Sequence, residues 1–152
     1  MSKSSRGIDA LASGLAGAVA LTAIHEVARR VVPDPPRMDV LGRRGLRRVM
    51  RAAGLTPPSE PEAQGIALVG DLATNGLAYS LVGLGPAGSA PARGAAIGAA
   101  LGVGALVLPP VLGLGPSPSD LKPRTAWMTF AWYFAGGLVA GGVYRGLRAP
   151  RQ

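Results

Sequence analysis

Three ionisable side chains, His25, Glu26 and Asp71, interrupt long apolar stretches of this 152-residue chain. A charge at bilayer depth costs roughly 2.5–3.5 kcal/mol on insertion scales, so each calls for a partner or a role. His25 and Glu26 lie six or seven residues before the first apolar segment ends, and Asp71 lies six residues after the second begins. At 1.5 Å per residue both positions sit about 10 Å from one face. Consecutive helices run antiparallel, so the three groups meet at one level.

Facing agrees with depth. Gly14, Ala18, Leu21 and His25 form one stripe of the first segment, and its small residues mark it as turned towards other helices. Asp71, Asn75 and Ala78 form a stripe on the second, with Thr74 beside it. The last segment starts from the same side, which brings Thr129, Trp132 and Tyr133 to similar depth. The expected polar pocket is therefore His25, Glu26, Asp71 and Asn75, closed by Thr129 or Tyr133. Arg29 and Arg30, one turn away, are alternative partners for the carboxylates.

Three kinds of chemistry fit such a pocket. A carboxylate paired with His25 or Arg29 would lock the first two helices together. Alternatively, carboxyl and imidazole groups in a low-dielectric setting exchange protons or hold a cation on a transport path. One His and two carboxylates are also a ligand set for a divalent ion, although transition-metal sites draw on more His or Cys. No metal or cofactor is expected. Catalysis is not expected either: there is no HExxH, no Walker loop, no nucleophile elbow and no paired haem-type His. Cysteine is absent, which removes disulfides, thiolate metal sites and thiol nucleophiles.

The composition says what kind of element carries these groups. Hydrophobic residues make up 48% before 23 glycines are added, and charged residues only 16%; soluble domains run at about 25% charged. Four apolar segments emerge, at about 8–32, 65–85, 94–112 and 125–144. The last three, at 19 to 21 residues, match a hydrocarbon core of about 30 Å. The first ends at Pro33-Asp34-Pro35-Pro36, the second at Gly85-Pro86, and the third carries Pro109-Pro110 near its end. A secretory signal is the competing reading of the first, since Lys3 and Arg6 precede it and Ala18-Val19-Ala20 resembles a cleavage site. The apolar run continues past that point, with no soluble domain after it. The expected fold is all-α: one membrane domain, a four-transmembrane-helix bundle. Gly94-xxx-Gly98-xxx-Gly102, Gly137-xxx-Gly141 and Ser13-xxx-Gly17 would let backbones approach closely, in a tight bundle or an oligomer.

One connection is unequal. Residues 33–64 contain Arg43, Arg44, Arg47, Arg48 and Arg51 on one face of a 3.6-residue period, with Leu46, Val49 and Met50 on the other. This predicts an amphipathic helix lying in the headgroup layer, its arginines on anionic lipid. Net charge is +8, carried by 14 Arg and two Lys. No aromatic-basic cluster directs that charge to nucleic acid. Positioning 33–64 and 113–124 in the cytoplasm places ten basic residues inside and six outside, with both termini outside. The expected location is the inner, or cell, membrane of a bacterium.

Gly14-Leu15-Ala16-Gly17-Ala18 through His25-Glu26, followed by Pro36-Arg37-Met38-Asp39-Val40-Leu41-Gly42, resembles uncharacterised small inner-membrane proteins of high-GC bacteria over about the first 55 residues. That resemblance implies a four-helix membrane fold and no particular activity. The chain also resembles small multidrug transporters, four-helix proteins with one membrane glutamate in the first helix, which would correspond to Glu26. The long basic connection, Asp71 and His25 depart from that pattern, so its transport activity is not carried over.

Overall fold

The computed structural model describes residues 3–116 and 122–149. Residues 117–121, in the middle of the expected 113–124 loop, and Arg151 lie outside the described residues. Among the described residues five α-helices follow one another: α1 (Lys3–Val31), α2 (Met38–Ala52), α3 (Glu60–Ser80), α4 (Ala90–Val111) and α5 (Pro123–Leu147). Among the described residues there are no strands. Three helices among the described residues are long and apolar enough to cross a membrane: α1, α3 with the 3-10 turn that extends it, and α4 with the turn before it.

All four apolar segments are helical, but their limits differ from those read off hydropathy. Instead of ending at Val32 after starting near Ile8, α1 starts at Lys3 and ends at Val31, before the proline-rich turn. Five residues ahead of Gly65, α3 begins where the Glu62 carboxylate reaches back to the Ser59 backbone N–H at 3.0 Å and its hydroxyl at 2.6 Å. That reciprocal cap satisfies donors the first turn would leave open, so the helix begins in polar sequence. It tightens into a 3-10 turn at Leu81–Leu84 instead of running straight to Gly85. Pro91 and Pro123 stand in the first turns of α4 and α5, where a missing N–H costs nothing. These starts come four and two residues before the expected Gly94 and Thr125, and α5 continues three residues past Tyr144.

Packing is up-down-up-down, with α1 against α3 and α5, and α4 against α5. The α4–α5 crossing is made of glycine: a Cβ on Gly98 would stand 2.5 Å from the Tyr133 carbonyl oxygen and 2.8 Å from Phe134 Cα. Gly94 and Gly102 meet α5 in the same way, so the expected small-residue ridge is an interhelical seam.

The centre of the bundle is α5, which buries Thr125, Thr129, Tyr133, Gly136, Gly137, Ala140, Gly141 and Tyr144. It is the one long helix not apolar enough by hydropathy to count as a membrane span, and its polar groups find partners inside the protein. The Tyr79 hydroxyl of α3 donates to the Tyr133 carbonyl at 2.7 Å. At one end of the bundle Arg148 pairs with Asp9 at 3.2 Å. Asp9 is a further ionisable residue within the first apolar segment, neutralised by a partner 139 residues away.

Helix α2 lies across the other end, where α1 and α4 finish and α3 and α5 begin. It turns Leu41 inward and packs chiefly on α3. Asp34, in the turn before it, adopts a left-handed φ of 52°, which Asp tolerates better than most residues. Its carboxylate pairs with Lys122 at 2.5 Å, and its carbonyl accepts from Thr125 at 3.2 Å. The entry to α2 is thereby tied to the start of α5.

Candidate functional site

A cleft of about 190 Å³ opens between α1, α2 and α3. Its α1 wall is Thr22, His25, Glu26 and Arg29, and its α3 wall is Gln64, Ala67, Leu68 and Asp71. Both sets follow i, i+3, i+4, i+7, one stripe of a helix each. Pro36, Asp39 and Arg43, from α2 and the turn before it, cover the end. His25, Glu26 and Asp71 therefore border one space, as their depths predict.

The remaining expected members are placed differently. Asn75 is buried and reaches the cleft only through its side-chain amide, which donates to Asp71 at 2.9 Å. Thr129 is fully buried, with its hydroxyl donating to the Thr125 carbonyl one turn back at 3.0 Å. Tyr133 is buried too, and neither residue borders the cleft. What α5 contributes is aromatic: the Trp132 and Tyr133 rings stand edge-on to the His25 imidazole at centroid distances of 5.0 and 6.2 Å.

His25 Nδ1 lies 3.0 Å from the Leu21 carbonyl. A carbonyl only accepts, so Nδ1 carries the proton and Nε2 holds the free lone pair in the neutral ring. That Nε2, and the Thr22 hydroxyl one turn away, are buried without a hydrogen-bond partner among the described residues. Buried polar atoms rarely stay so, and both belong to residues bordering the same cleft.

The cleft's carboxylates differ in their partners. Glu26 accepts from Arg29 at 2.8 Å. Asp39 is shared by Arg37 and Arg43, each at 3.1 Å, and by Arg29 at 3.6 Å. Burial pushes the Asp39 carboxyl up, but the Arg37 and then Arg43 guanidinium groups outweigh it and hold it below the ordinary range. Asp71 has Asn75 and, among the described residues, no basic group within ion-pairing distance. The Glu26–Arg29 pair stays within α1 and the Asp71–Asn75 bond within α3, so neither ties the two helices together. Among the described residues no three His, Cys, Asp or Glu side chains converge as metal ligands.

Asp39 is the residue sequence reading passes over. Its signal is present: it is the sole acid in α2, four residues before Arg43 and two after Arg37. The five arginines expected to meet lipid also divide. Arg43 and Arg47 reach the Glu60 carboxylate at 3.6 and 2.5 Å, while Arg44 and Arg48 donate to carbonyls of the 113–116 segment.

Compared with protein-family models, curated proteins and solved structures, the chain matches none. The functional reading rests on the geometry of the cleft.

Proposed function

We propose that this chain is a four-span bacterial inner-membrane protein whose cleft takes up a proton or a small cation at Asp71, as part of a transport path. The carrying observation is the uncompensated Asp71 carboxylate: Glu26 and Asp39 in the same lining are both neutralised by arginine, and Asp71 is not. An unpaired charge at this depth costs several kcal/mol unless a proton or counter-ion joins it. The lone pair of His25 Nε2 and the Thr22 hydroxyl supply further polar contacts for an incoming group. The helix-locking alternative gains nothing from the pairs seen, since none of them joins α1 to α3. In this reading α5 is the fourth span, α2 lies in the cytoplasmic headgroup layer, and both ends of the chain face outward.

Binding of a small cation, sodium or methylammonium, to protein in neutral detergent, read by calorimetry, tests the assignment. Losing one charge-assisted contact of about 1.5–3 kcal/mol weakens binding about tenfold or more. Asp71→Asn is expected to do so while melting close to wild type, and Glu26→Gln to change binding less than about twofold. A protonated form of Asp71 would add a pH-dependent infrared carboxyl band that Asp71→Asn removes. If Asp71→Asn lowers the melting temperature sharply and leaves binding and infrared spectra unchanged, the residue is structural and the reading fails.

A further inference from the structure

Arg44, Arg47, Arg48 and Arg51 follow i, i+3, i+4, i+7 along α2, on the side away from Asp39. Like charges at this spacing repel, so a helix carrying four of them needs counter-charge from somewhere. The chain supplies it for one: Arg47 is bound by Glu60 at 2.5 Å. Arg44 donates to the Leu114 and Pro116 carbonyls at 3.2 and 3.4 Å, and Arg48 to the Gly113 carbonyl at 3.3 Å. Gly113 and Gly115 have positive φ, 66° and 84°, and this turn brings those carbonyls round to the guanidinium groups. A carbonyl fixes a guanidinium in place without cancelling its charge. Arg51 makes no ion pair among the described residues.

The four arginines, with Gly113 and Leu114, border a surface pocket that has no carboxylate in its lining. Two oriented guanidinium groups with Arg51 beside them, all three without a carboxylate partner, suit an anion with several oxygen acceptors, above all a phosphate. The surroundings say what carries the phosphate. Val107, Leu108 and Val111 on the last turns of α4 are half or more exposed, as are Leu112 and Val49. A cationic pocket set against an apolar helix face matches a headgroup and its acyl chains together.

We infer that this pocket is a specific site for one anionic phospholipid, with its phosphate on Arg44 and Arg48, Arg51 beside it, and its acyl chains along α4. Arg43 and Arg47 are structural, committed to Asp39 and Glu60, and take no part. The site is separate from the cleft and independent of its function.

Native mass spectrometry of the protein in neutral detergent, titrated with phosphatidylglycerol, reads the retained lipid directly. Wild type is expected to hold one such lipid in preference to phosphatidylcholine. Arg44→Gln with Arg48→Gln should weaken retention about tenfold, as for loss of charge-assisted contacts. Arg51→Gln removes a side chain with no ion pair to disturb, so it should lower retention several-fold with melting unchanged. Arg145→Gln, at the opposite end of the bundle, should leave retention as it is. Equal retention of both lipids, or equal losses in the Arg51 and Arg145 variants, would overturn the proposal. Displacement of the lipid by an equal concentration of inorganic phosphate would overturn the lipid assignment and leave a site for the free anion.

Discussion

Asp39 draws guanidinium groups from α1, from the turn after it and from α2 itself, so one carboxylate secures the entry of the surface helix. Its pKa when folded is below the ordinary carboxylate value, burial being outweighed by Arg37 and Arg43. A depressed value means the contribution to stability is complete above the unfolded value of about 3.9 and fades as pH falls through the lower folded value. Acidification below about pH 4 should therefore loosen α2 while the long helices stay assembled. Amide hydrogen exchange of residues 38–52 measures this, with lower protection relative to the intrinsic rate expected at low pH. Asp39→Asn should bring the low protection to neutral pH and abolish the pH dependence of that protection. The pairs are neither fully buried nor fully exposed, so the local cost should be about 1–2 kcal/mol. Exchange unchanged in this variant would mean that α2 is held by Leu41 and its apolar contacts instead. The exposed Asp34–Lys122 pair has its carboxyl lowered by the Lys122 hydrogen bond, and its contribution fades in the same direction.

At the level of helices, the seam between α4 and α5 is the part least able to accept change. A methyl group at Gly98 would press on the Tyr133 carbonyl and Phe134 Cα, which are backbone atoms and cannot rotate away. Gly98→Ala is expected to destabilise by about 2 kcal/mol or more, the scale of overpacking in a close-packed interior. Gly142→Ala, on the same seam helix but with nothing within 4 Å of its Cβ position, should be near neutral. Thermal melting of both variants in detergent compares them, and equal melting points would show the seam to be looser than its distances indicate. This ridge was legible in the sequence because small residues at four-residue spacing have one use in a packed helix pair. The two stripes bordering the cleft were legible for the same reason of period. The start of α3 was not, because hydropathy points to Gly65 while the signal sits upstream, in Ser59 and Glu62. Arg44 and Arg48 were also illegible as loop-binding residues. Their carbonyl acceptors lie 65 to 72 residues away, and only the folded turn at Gly113 and Gly115 brings them near. That Asp71 and not Glu26 keeps an open charge depends on side-chain reach, which spacing alone does not specify.

Taken whole, the molecule has a basic end and a sparsely charged one. Arg29, Arg30, Arg37, the α2 arginines, Lys122 and Arg124 gather at the α2 end, with Arg93, Arg145 and Arg148 among the few at the other. Basic residues near helix ends favour the cytoplasmic side, so the α2 end should face inward. A fourth crossing by α5 has to be made despite Trp, Tyr and Gly residues that lower its hydropathy. Burial resolves why that need not prevent insertion: Thr129, Tyr133 and Tyr144 are buried against other helices, and Leu138 and Val139 are exposed instead. The absence of native cysteine allows a direct test, since each introduced thiol is the sole one. Gly88→Cys in the α3–α4 turn should react with a membrane-impermeant maleimide in intact cells, and Ala53→Cys after α2 should react only once the cells are permeabilised. With four spans, Ala149→Cys after α5 should behave like Gly88→Cys. If Ala149→Cys follows Ala53→Cys instead, α5 does not cross, and the bundle has the three spans that length and hydropathy alone support. The Asp71 cleft would survive that outcome, since its walls are α1, α2 and α3. The outward placement of both chain ends would not.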